Sequence, residues 1–212
     1  MSVSTSPAPP AWPGLPLFPL HAVLFPGAQL ALKVFEARYV DLIGHCLRER
    51  EGFGVVALKQ GREVRGGGGE PVVFESVGTR AELIDVDSVQ PGILQVRCRG
   101  TSRFALGPVR EQSDGLWRTL ATPIDDDDPV PPAEAQLDTV KSLAKAIGSL
   151  KAQGVQPFLE PYRFDDAGWV ANRWCELLPI PLAAKQKLME LPDAMVRLRL
   201  VDEFLRSQKV VT

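Results

Sequence analysis

Ser142 and Lys145 stand in an S-x-x-K pattern, the spacing that in serine acyl enzymes sets a hydroxyl and an amine on one helical face. The chemistry would be acyl transfer. Ser142, however, falls in the middle of an apolar-striped helical stretch, and neither S-D-N nor K-T-G occurs elsewhere. Gly52, Gly54 and Ala57 match G-x-G-x-x-A, a turn that brings backbone close to a dinucleotide pyrophosphate. That site needs a strand before the glycines and a helix after them, and here a helical stretch precedes and a strand lies within. The run Gly66, Gly67, Gly68 and Gly69 has no Lys-Ser/Thr beside it and is not a phosphate loop. The two histidines, His21 and His45, make no paired metal-ligand spacing with Cys46, Cys98 and Cys175. His45 and Cys46 are adjacent on a helical stretch and point in different directions. No enzyme activity, cofactor or metal is expected from this inventory.

Composition narrows the class further. Hydrophobic residues make up 45% and charged residues 24% of the 212, ordinary for a globular chain. A net charge of -2 gives no broad attraction to nucleic acid or anionic membrane. Three scattered cysteines argue against a disulfide framework and fit a reducing compartment. The start, MSVSTSPAPPAWPG, lacks the basic and apolar regions of a secretory signal, so a cytoplasmic location is expected.

The elements that must position any site read as two blocks. Residues 1–14 are small, polar and Pro-rich, and are expected to be a disordered leader. Short apolar pieces follow at Leu17–Leu20 and Val23–Phe25, the second stopped by Pro26-Gly27. Leu30, Leu32 and Val34 alternate with Ala31, Lys33 and Phe35 as a half-buried strand. From Glu36 the period becomes helical, with Tyr39, Leu42, Ile43, Cys46 and Leu47 on one face. Further strand patterns occupy 52–58, 72–74, 77–86, 94–99, 103–106 and 116–124, with a turn at Val89-Gln90-Pro91-Gly92. Many short strands in one block point to a small barrel or pseudo-barrel over 15–124. Asp125 to Asp128 with Pro129, Pro131 and Pro132 reads as an acidic, stiff connector over 125–132. Helical patterns fill 133–212, with Asp165 or Asp166 and Asp193 as caps.

Several motifs in order resemble the N-terminal, substrate-binding domain of Lon-type ATP-dependent proteases. They are Leu15-Pro16-Leu17-Phe18-Pro19-Leu20, Val23 to Gly27, Phe35-Glu36-Ala37-Arg38-Tyr39, Gly78-Thr79, and Gly100 with Arg103-Phe104. Leu178-Pro179, then Lys185 to Glu190, Asp193 and Arg197-Leu198, extend the resemblance to the helical end. One departure is Ala31, where the family often carries proline. These 212 residues hold no G-x-x-x-x-G-K-[ST] loop, so neither Lon's ATPase nor its Ser-Lys peptidase activity is expected of them.

The resemblance implies an α+β fold, a PUA-like β pseudo-barrel followed by a helical bundle. It implies a non-enzymatic module for unfolded or extended polypeptides, held in a groove between barrel and helices or along an exposed strand edge. The candidate binding residues are Phe35, Glu36, Arg38 and Tyr39 with the Gly66, Gly67, Gly68 and Gly69 loop. Glu36 and Arg38 are poorly placed to face each other along a helix. Two rivals stay open. One is an RNA-binding module, since PUA-like relatives bind RNA and Arg97, Arg99, Arg103, Arg110 and Arg118 fall in the late strands; Glu75, Glu82, Asp85, Asp87, Glu111 and Asp114 accompany them and weaken that footprint. The other is an adaptor docking on a separate protease, which an exposed Trp169 or Trp174 would favour.

Overall fold

The computed structural model describes residues 11–63 and 71–211. The Gly66 to Gly69 loop lies outside the described residues. Chain order is β1 (Trp12–Leu20), β2 (Gln29–Val34), α1 (Ala37–Glu49), β3 (Phe53–Gln60), β4 (Val73–Phe74), β5 (Val77–Gln90), β6 (Ile93–Glu111) and β7 (Trp117–Pro123), then α2 (Leu137–Ala152), α3 (Ala167–Leu177), α4 (Leu182–Glu190) and α5 (Ala194–Ser207).

The sheet closes on itself. Neighbours run β1-β7-β6-β5-β3, and a parallel β3–β1 pairing, Leu17 opposite Gly54, completes the ring. Two strands hang outside it, β4 on β3 and β2 on β6. The nineteen-residue β6 pairs with three strands. Its first half pairs with β2 and β5, and its second half with β7. The sequence patterns at 94–99 and 103–106 are therefore one strand, bent at register shifts against both β5 and β7.

β1 begins at Trp12, ahead of the expected start, and carries Pro13, Pro16 and Pro19. A strand paired along both edges would leave little room for prolines. Here β7 pairs with Trp12 to Leu17 and β3 with Leu17 to Leu20, so most of the strand needs one ladder at a time. Val23 to Phe25 is a loop rather than a strand. Leu24 and Phe25 are buried all the same, with Phe25 at 0% exposure. Side-chain bonds replace the ladder, Thr79 Oγ1 donating to the Leu24 carbonyl at 2.6 Å and Arg173 Nη2 to that of Pro26 at 2.8 Å.

Leu15, Leu17, Val56, Phe104 and Ala121 fill the barrel's interior. Phe104 fits only because glycines face it: a Cβ on Gly54 would stand 2.8 Å from its ring and one on Gly78 2.5 Å. Gly52 is held by the Ala81 carbonyl, 2.5 Å from where its Cβ would be. The G-x-G-x-x-A pattern is thus a packing pattern. Gly78→Ala should lower unfolding stability by about 1–3 kcal/mol, the usual cost of overpacking, read as a shift in urea midpoint at constant m.

A larger core lies between the barrel's outer wall, α1 and the helices. Asp166 caps α3 through the N–H groups of Gly168 and Trp169, and Asp193 caps α5 through those of Met195 and Val196. The acidic connector does more than space the two blocks. Asp127 sits between Arg103 of β6 and Arg197 of α5, pairing with Arg103 Nη2 at 3.0 Å and with Arg197 Nη1. The two arginines also donate to the carbonyls of Met189, Leu191 and Leu188. These buried side chains tie barrel and helices together.

Candidate functional site

Leu32 and Val34 of β2 turn inward, while Ala31 and Lys33 turn outward and Phe35, just past the strand, is 52% exposed. Among the described residues β2 pairs with β6 alone, so its other edge is open. The chain leaves β2 through Glu36, which stays extended (φ -75°, ψ 132°) as the residue before α1.

A cleft of about 330 Å³ runs beside this strand. Every residue from Leu30 to Val34 contributes to its wall, whichever way the side chain alternates. It therefore follows the strand's open edge rather than one sheet face. Phe18 and Leu20 of β1, with Tyr39 of α1, make the apolar lining opposite, and Phe35, Glu36 and Glu63 border it. Tyr39 stacks on Phe18 with ring centroids 4.2 Å apart. Burial pushes its hydroxyl up to about 12, so it remains a neutral donor. That hydroxyl has no hydrogen-bond partner among the described residues.

Three of the expected site residues, Phe35, Glu36 and Tyr39, come together on this cleft. Arg38 lies behind it. Its guanidinium donates to the Gly115 carbonyl at 2.6 Å and to Glu36 Oε2 at 2.9 Å, and sits 4.5 Å from the Tyr39 ring centroid. Glu36 and Arg38 do face each other, against the expectation from helix geometry, because Glu36 precedes the first helical residue and is free of the helical repeat. Arg38 thus fixes the cleft's floor to the β6–β7 turn. Sequence reasoning missed Phe18, Lys33 and Glu63. The alternation of β2 carried a signal for Lys33; nothing local announced Glu63, whose carboxylate accepts the backbone N–H of His21.

The three thiols are buried, and burial raises Cys46 to about 11 and Cys98 and Cys175 to about 12, so they stay protonated. No cluster of metal-ligating side chains occurs among the described residues. Among the barrel arginines, Arg97 pairs with Asp85 at 2.7 Å, Arg99 and Arg80 with Glu82, and Arg103 with Asp127, while Arg118 donates to Gln112 and the Gly14 carbonyl. Trp174 is buried, its Nε1–H donating to the Thr139 carbonyl. Trp169 is half-buried among Phe158, Tyr162 and Phe164. No helix among the described residues is long and apolar enough to cross a membrane.

These features define an α+β domain in which a barrel-like sheet is followed by helices. The chain belongs to the family of Lon substrate-binding domains: the family model for the ATP-dependent protease La (LON) substrate-binding domain matches residues 14–207. A Lon N-terminal domain protein from Xanthomonas campestris superposes with a TM-score of 0.70 at 30% identity, over 89% of this chain and 96% of that one. The N-terminal domain of Mycobacterium avium complex Lon protease shares the fold, with a TM-score of 0.61 at 14% identity over 91% of this chain and 98% of that one. The Lon protease of Anaeromyxobacter dehalogenans (strain 2CP-C) is 23% identical over 201 residues, 93% of this chain. The chain spans 23% of that relative's length.

Proposed function

We propose that this chain is a non-enzymatic module that binds extended or unfolded polypeptides by strand addition to β2. The observation that carries this reading is a cleft along an unpaired strand edge, with an exposed aromatic at its rim. Main-chain groups on an open edge offer hydrogen bonds that need no particular sequence, while the apolar lining adds modest selectivity. Membership of a substrate-binding family is consistent with this reading.

The mechanism is compatible with weak, reversible capture. An extended segment would align with β2, place alternate side chains over the Phe18–Tyr39 lining, and leave the rest in water. Arg38 holds α1 and the Gly115 turn in place, so the lining is formed before a segment arrives and little ordering is needed on binding. Delivery to a protease belongs to this reading as an expectation for partners.

The test compares two blocked peptides of the same extended sequence, one with alternate backbone amides N-methylated. Fluorescence anisotropy should show the methylated peptide losing most of its affinity, because its ladder donors are gone. Equal affinity would mean that binding does not use the strand edge.

A further inference from the structure

The charges along the cleft are not balanced in their availability. Glu36 already accepts from Arg38, and Glu63 from the His21 N–H. Lys33 has no ion-pair or hydrogen-bond partner among the described residues, and it is exposed. Glu36 makes no side-chain cap on α1, and the first turn of α1 holds no acidic residue. Tyr39 borders the same cleft, and its buried hydroxyl has no hydrogen-bond partner among the described residues. Lys33 is thus the cation on the cleft lining that has no carboxylate beside it among the described residues.

Spacing gives this a pattern. Lys33 and Phe35 are two residues apart and both exposed, on the outward side of the open strand. A segment paired along β2 places residues opposite these two that are also two apart, because side chains on one face recur with period two. We propose that the cleft selects extended segments in which an acidic residue, Asp or Glu, stands two positions from a large apolar residue, the acid opposite Lys33 and the apolar group against Phe35. This rests on the strand-addition reading above and adds the substrate class. Opposite charges across strands attract and like charges repel, which sets the expected preference at about three- to tenfold.

The experiment uses the whole chain and terminally blocked, labelled peptides of about ten residues, so that only side-chain charge counts. One set carries Asp-x-Phe or Phe-x-Asp, the other Lys in place of Asp. Binding is read by anisotropy at low and high salt, for the wild type and for Lys33→Glu. The wild type should favour the Asp set about three- to tenfold, more at low salt, and Lys33→Glu should reverse the order. Whichever Asp order binds better reports the direction of the bound strand. Peptides that bind but show no charge preference in either protein overturn the inference and leave strand addition standing. Failure of every peptide to bind overturns both. Thermal melting of Lys33→Glu, an exposed position, confirms that the variant is folded.

Discussion

Replacing Asp127 with Ala should remove about 3–5 kcal/mol of folding stability, since the change leaves buried charge uncompensated. Asp127 is the shared partner of Arg103 and Arg197, whose side chains are 4% and 1% exposed. Without the carboxylate two guanidiniums would face each other in a region closed to water. Marginal stabilities of about 5–15 kcal/mol make this a large fraction of the total. Asp127→Asn keeps the shape and one carbonyl acceptor and should lose less. Urea unfolding of both variants checks the ordering, and wild-type midpoints would show that the connector does not hold barrel and helices together. Converting all three residues to apolar side chains of similar volume is expected to cost less than the single Ala change, because a complete buried network can be replaced where a broken one cannot be tolerated.

The second large effect falls on binding. Phe35→Ala should weaken capture of apolar extended peptides about tenfold, the scale of an aromatic anchor that a bound segment covers. Its side chain is 52% exposed, so its removal takes little from the core and the melting temperature should barely move. A large fall in affinity at unchanged stability separates a contact from a packing role. Unchanged affinity would take Phe35 off the binding surface.

Much of this was legible in the sequence, for identifiable reasons. The caps Asp166 and Asp193 were readable because capping depends on a few adjacent residues. The alternation at Leu30 to Val34 and the change of period at Glu36 located β2 and α1, and with them Phe35, Glu36 and Tyr39. Long-range closure was not readable. Glu63 and Phe18 reach the cleft only once β1, β2 and β3 are assembled. Leu24 and Phe25 looked like a strand because apolar runs report burial, not ladder bonds. Asp127 was hidden by its neighbours: in Asp125-Asp126-Asp127-Asp128 composition marks a solvated connector, and only tertiary structure shows which carboxylate turns inward.

The open edge of β2 has one more consequence, for the protein's behaviour in a crowd of its own copies. An edge able to accept a foreign strand can in principle accept the same strand from another molecule, the first step toward runaway polymerisation. Antiparallel pairing of two β2 edges about an axis at Lys33 would set two ammonium groups side by side. Like charges directly opposite are destabilising across a ladder. A lysine in the middle of an exposed edge thus repels the most symmetric self-association while leaving the edge usable by others, so the strand can stay uncovered without becoming sticky toward itself.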